Sequence, residues 1–134
     1  MKTAVVTGGS KGIGLGIVRM LACRGYKVFA TYGHDDNAAH TAAAELGDKV
    51  EFVKADLAER SQTYAFVSHV KQASASIDCI VCNAGTTIRK SFTETTDSDW
   101  DTMMEVRLTA HLIQVREPDQ IINPHAHAPV PGSA

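Results

Sequence analysis

Residues 7–14 read Thr7-Gly8-Gly9-Ser10-Lys11-Gly12-Ile13-Gly14, with the apolar run Ala4-Val5-Val6 before them and a helical pattern after them. The chemistry open to such a segment is anion capture. Gly8 permits a tight turn, Gly12 lets the backbone come close to a phosphate, and Gly14 lets the following helix press on the preceding strand. The helix N-terminus adds free N–H groups and the positive end of its dipole. Strand, turn and helix together form a cradle for the pyrophosphate of a dinucleotide; a plain strand-to-helix turn is the alternative reading.

Other reactive residue types are less telling. Cys79-Ile80-Val81-Cys82 has redox or metal-site spacing, but the run Ile77-Asp78-Cys79-Ile80-Val81-Cys82 reads as a buried strand. Positions three apart on a strand face opposite ways, so the two thiols read as filler. His125-x-His127 has metal-ligand spacing without a partner set. Thr86, Thr87, Arg89 and Lys90 read as a polar loop or a substrate mouth. Trp100 and Met103-Met104 read as core or interface contacts rather than a ligand box. His111 reads as a packed or exposed helical residue. No Ser/Cys–His–acid order is recognisable.

The elements that must position these residues alternate. Strands are expected over 3–7, 27–31, 50–54 and 79–82. The first helix is expected over 12–23, with Ile13, Ile17, Val18 and Leu21 as its apolar face. Asp36 or Asn37 would cap the second, which carries Ala38, Ala39, Ala42, Ala43 and Leu46 on one side. Ser61 would cap the third, with Phe66, Val67, Val70 and Ala73 in line. A fourth is expected to start near Asp97 and carry Trp100, Met104, Leu108, Leu112 and Val115. Regular strand–helix alternation implies an α/β fold: a Rossmann-like parallel sheet of about four strands, order 3-2-1-4, with helices on both faces and a crevice at the strands' carboxyl ends. This organisation covers residues 1–116 as a dinucleotide-binding domain. Residues 117–134 hold all four prolines, His125 and His127, and read as an irregular tail.

Composition narrows the class. At 44% hydrophobic and 21% charged residues the chain is ordinary for a globular protein. A net charge of −2 offers no footprint for nucleic acid. No run approaches the ~18 apolar residues of a membrane span, and Met1-Lys2-Thr3 leads into a strand rather than a secretory signal. A cytoplasmic location is the expectation.

The loop with Gly8, Gly12 and Gly14, then Asp56-Leu57 after the third strand, Asn83-Ala84-Gly85 after the fourth, and Trp100 with Met103-Met104-Glu105-Val106 resemble the short-chain dehydrogenase/reductase family in that order. The flavour is that of 3-oxoacyl-thioester reductases and gluconate-type dehydrogenases. The resemblance implies an oxidoreductase acting on a carbonyl or secondary alcohol, with Gly8, Ser10, Lys11, Gly12, Ile13, Gly14, Tyr32, Asp56, Leu57, Asn83, Ala84 and Gly85 at the cofactor. It implies NADP(H) rather than NAD(H), because Lys11 would lie near a 2′-phosphate and Tyr32-Gly33 ends the second strand where an acid would favour NAD; Asp35 and Asp36 come slightly later.

Two departures bear on activity. Arg107 stands where the family has the Asn of a proton relay, and a guanidinium cannot accept a hydrogen bond. The family's catalytic Ser has no counterpart, and none of Tyr26, Tyr32 and Tyr64 has Lys four residues on. Proton delivery to a carbonyl then lacks its usual agent, and a non-standard acid, a bound water or Arg107 would have to stabilise the developing oxyanion. The chain therefore reads as a truncated or frame-shifted member with its own tail. Its fold is incomplete relative to the family, and three family strands are missing. The alternatives are a non-catalytic dinucleotide-binding module and a repurposed enzyme such as a hydrolase. An open fourth strand and a bare last helix, with Leu112, Ile113 and Val115, would pair with a second copy or be covered by the tail.

Overall fold

Four short runs rich in Val, Ile, Phe and Thr form strands, and the computed structural model, which describes residues 1–74, 76–84 and 92–106, joins them into one parallel sheet. The strands are β1 (Thr3–Val6), β2 (Lys27–Tyr32), β3 (Val50–Lys54) and β4 (Cys79–Val81), in the order β3-β2-β1-β4. The helices are α1 (Gly12–Cys23), α2 (Asp36–Leu46), α3 (Arg60–Ala73) and α4 (Asp97–Met104). This is the expected architecture and strand order.

Register builds the core. Val5 lies beside Phe29 and Ile80, so all three face one side of the sheet. There they meet Phe66 and Val70 of α3, together with Leu57, Ile77 and Cys82. Ala4, Val6, Val28 and Ala30 face the other side, against Val18, Leu21 and Ala22 of α1, with Leu46 of α2 at the margin. Each buried Val or Phe contributes roughly 1.5–3 kcal/mol of transfer free energy. The strands are apolar on both faces because both faces are covered.

Several local expectations are corrected. Ile13 is 80% exposed rather than part of the α1 core face. The buried stripe is Gly14, Val18, Leu21 and Ala22, because the glycine one residue later is the position that contacts the loop after β1. The α2 cap is Asp35, whose carboxylate accepts the Ala38 N–H at 3.0 Å, rather than Asp36 or Asn37. Ser61 lies inside α3, whose N-cap is Glu59. Ala73 is exposed and Thr63 takes its place in the α3 stripe. Trp100 is 60% exposed, so it is not a core contact among the described residues. Leu108, His111, Leu112, Ile113, Val115 and the segment 117–134 lie outside the described residues.

Cys79 packs on the α1 side of the sheet and Cys82 on the α3 side, as strand alternation requires. Burial pushes the Cys82 thiol up to about 11. Cys79 is also raised, by burial first and by the Asp78 charge second. Cys23 is exposed. A thiol reagent added to the native protein at pH 8 is expected to label Cys23 rapidly and Cys82 only after denaturant. Rapid native labelling of Cys82 would contradict this packing.

Thr63 is fully buried and its hydroxyl has no hydrogen-bond partner among the described residues. A hydroxyl without a partner carries a desolvation cost that a methyl does not. Thr63→Val should raise unfolding free energy by about 1 kcal/mol, read as a higher urea midpoint.

Candidate functional site

Backbone hydrogen bonds tie the carboxyl ends of neighbouring strands together, Thr7 to Val81, Gly9 to Thr31 and Ala55 to Tyr32, and the loops that leave those ends line a crevice of about 800 Å³. Its walls come from every strand end. Gly8, Ser10 and Lys11 follow β1, and Tyr32 to Asp35 close β2. Ala55 to Ala58 follow β3, and Asn83 and Ala84 follow β4. Thr102 and Val106 bring in the α4 end.

The glycine loop is fixed from two directions. The Thr7 hydroxyl is fully buried and accepts the N–H groups of Asn83 at 3.0 Å and Ala84 at 2.8 Å. In return the Asn83 side-chain amide donates to the carbonyls of Thr7 and Gly8, each at 3.2 Å. On the β2 side, the Gly8 N–H donates to the Thr31 hydroxyl at 3.1 Å and the Gly9 N–H to the Thr31 carbonyl at 2.9 Å. Gly8 has φ +66°, which an L side chain rarely adopts. A Cβ at Gly14 would overlap the Gly8 carbonyl oxygen, so only glycine lets α1 begin this close to the loop.

The start of α1 is electrostatically open. Its N-cap residue, Lys11, makes no side-chain cap, and no acid stands in its first turn. Two other helices differ: Asp35 caps α2, and Thr96 with Asp99 forms a reciprocal capping box on α4; α3 also lacks a side-chain cap, but it has the carboxylate residue Glu59 at its N-cap position and no glycine loop before it. A helix start with uncapped amides and no local acid is suited to an external anion.

At the β2 end the charges are paired. Lys11 Nζ lies 3.4 Å from Asp35, with the lysine side chain 70% exposed. The Asp35 carboxyl is held below its ordinary range, first by the Ala38 N–H and next by Lys11. Lys54 holds Asp36 at 3.1 Å. His34 approaches Asp56 at 3.9 Å. Asp56 also accepts the Ala58 N–H at 3.0 Å and gives its own N–H to Gln62 at 2.7 Å, so it shapes the loop as well as lining the crevice.

Of the residues singled out in the sequence, Gly8, Ser10, Lys11, Tyr32, Asp56, Leu57, Asn83 and Ala84 meet in the crevice wall. Gly12, Ile13 and Gly14 form the adjoining first turn of α1. Gly85, Arg107 and the 86–90 loop lie outside the described residues. Sequence reasoning missed Thr7, Thr31, His34, Thr102 and the ion pair Arg60–Glu105. Thr7 had a signal: a hydroxyl residue between the end of a strand and a glycine turn is placed to bond a neighbouring loop. The others depend on contacts across many residues.

Thr7→Val removes the acceptor shared by two N–H groups. It should cost about 2 kcal/mol of stability, measured by urea unfolding. An unchanged midpoint would show that the brace is dispensable.

The pattern described as short chain dehydrogenase matches residues 2–120. Nodulation protein G of Rhizobium sp. (strain N33) is 38% identical over 116 residues, covering 87% of this chain and 47% of that protein. Acetoacetyl-CoA reductase of Shinella zoogloeoides is 35% identical over 108 residues, covering 81% of this chain and 44% of that protein. A short chain dehydrogenase from Burkholderia cenocepacia J2315, solved in complex with NADP, superposes with a TM-score of 0.88 at 28% identity, covering 96% of this chain and 54% of that one. The chain thus spans about half the length of the curated relatives it matches. Its strand order, its braced glycine loop and these likenesses agree: the chain belongs to the short-chain dehydrogenase/reductase family.

Proposed function

We propose that the crevice binds NADP(H), and that the chain serves as the nucleotide-holding part of an oxidoreductase acting on a carbonyl or secondary alcohol. The observation that carries this reading is the uncapped start of α1 beside the braced glycine loop, at the mouth of an 800 Å³ crevice. The amides of Gly12, Ile13 and Gly14 would take the pyrophosphate, with Gly8 and Ser10 beside it. Asp56, Leu57 and Tyr32 would flank the adenosine, and Asn83, Ala84 and Gly85 would run beneath the nicotinamide ribose. When bound, the nicotinamide donates or accepts hydride.

Lys11 supports NADP(H) over NAD(H). Its ammonium is exposed at the crevice rim, and a phosphate is a stronger partner for it than the single Asp35 carboxylate it now meets. The relative from Burkholderia cenocepacia, solved with NADP, supports the same preference. The substrate class carries over from the acetoacetyl-CoA reductase likeness at the level of a ketone beside a thioester. The three free cysteines suit a reducing cytoplasm. Among the described residues no helix is long and apolar enough to cross a membrane. We also propose self-association: among the described residues no strand covers the outer edge of β4, and Trp100 is exposed on α4.

A second reading is favoured by one feature. No Tyr in the 134 residues has Lys four positions on, so the usual proton donor is not among them. A module that binds dinucleotide without turning it over, or that completes its site with another chain, fits that fact.

Calorimetric titration tests both readings. NADPH is expected to bind more tightly than NADH, and Lys11→Ala to weaken NADPH by about three- to tenfold while leaving NADH within about twofold. Tighter NADH binding would overturn the preference, and binding of neither would overturn the proposal. NADPH oxidation with a panel of ketones supports the oxidoreductase; binding without oxidation supports the second reading.

A further inference from the structure

The α4 end forms one wall of the crevice, yet α4 buries none of its own residues. Its inner residues Thr102 to Met104 are only half-buried, so apolar packing alone holds the helix weakly. Two further ties to the body lie at its C-terminal end. There Val106 packs against the core cluster on the α3 side, and Glu105 meets Arg60 at the first position of α3. The contact is bidentate: Arg60 Nε donates to one carboxylate oxygen at 3.0 Å and Nη2 to the other at 3.1 Å. The Glu105 side chain is 15% exposed and the Arg60 side chain 60%, so one end of this pair is shielded from water where both ends of the Lys11–Asp35 pair are exposed.

Position gives the pair its consequence. Arg60 follows the Asp56–Ala58 loop that forms one crevice wall. Glu105 sits between Thr102 and Val106, which also line the crevice. The two walls are 45 residues apart in sequence and joined by two parallel hydrogen bonds. A fork-to-fork geometry fixes orientation as well as distance.

We propose that Arg60 and Glu105 are positioning residues whose ion pair clasps the α4 turn to the loop after β3, and so sets the width of the crevice beside Asp56 and Leu57. Neither residue lines the crevice; they act through Thr102, Val106 and the Asp56–Ala58 loop. The consequence for ligand rests on the reading that this end takes the adenosine of NADP(H). Opening the clasp then weakens ligands that carry adenosine and spares nicotinamide mononucleotide.

The test compares the full chain with Glu105→Gln, Arg60→Gln and the exchanged pair Arg60→Glu/Glu105→Arg. Amide exchange over residues 99–106 and the anisotropy of Trp100, the chain's one tryptophan, report α4 without any ligand. Each single variant is expected to speed exchange in that segment and leave exchange in β1, β2 and β3 unchanged. Each should also weaken adenosine 2′,5′-bisphosphate and NADPH by about three- to fivefold, with nicotinamide mononucleotide unaffected. The exchanged pair should restore most of both signals, which a merely destabilising substitution would not do. Unchanged exchange over 99–106 in Glu105→Gln would overturn the clasp. A parent chain that binds no NADPH while its exchange responds as described would overturn the proposed function and leave the clasp standing.

Discussion

One buried hydroxyl organises the functional end of this protein. Thr7 sits where β1 runs out, and its Oγ1 accepts two N–H groups from the segment that leaves β4. Asn83 answers with its amide on the carbonyls of Thr7 and Gly8. The sheet ladder between these strands ends at Val6 and Val81, so these side-chain bonds extend the pairing past the last regular rung. Buried polar groups carry a penalty unless satisfied, and here each satisfies another. The glycine loop is held by this mutual satisfaction, with no apolar side chain of its own to pack.

The crevice follows from that restraint. A loop fixed to β4 on one side and to Thr31 of β2 on the other has little freedom to collapse into the space above the sheet. Gly14 then lets α1 begin against the Gly8 carbonyl, so that its first turn adjoins the crevice-lining residues Gly8, Ser10 and Lys11. The opening is thus built before any ligand arrives, which lowers the ordering cost of binding. Charges at the rim are less rigidly placed. Lys11, Asp35, His34 and Asp56 are exposed or half-exposed, and their pairings are of the kind that contribute little to stability.

The fold was legible in the sequence because its cause is local and periodic. Apolar strand runs bounded by Gly or charged residues gave four strands, and the helical spacing between them gave the alternation that permits a parallel sheet. The glycine loop was legible for the same reason, since Gly8 and Gly14 are needed by backbone geometry whatever lies elsewhere in the chain. Errors came where two local signals competed. Asp35, Asp36 and Asn37 are all capable caps, and only Asp35 stands where its carboxylate reaches Ala38. Ile13 fitted the helical period but falls on the open side of the first turn, where no sheet residue faces it.

By itself the sequence determined the sheet, its order and the glycine turn before α1, because backbone sterics and hydrophobic period act over a few residues. Only the tertiary structure decided which side chains brace the loops around the crevice. Thr7 with Asn83 is a contact 76 residues apart, and Arg60 with Glu105 one 45 residues apart. Such pairs leave no periodic trace, since a hydroxyl, an amide or an ion finds its partner only after the sheet has set the distance between loops.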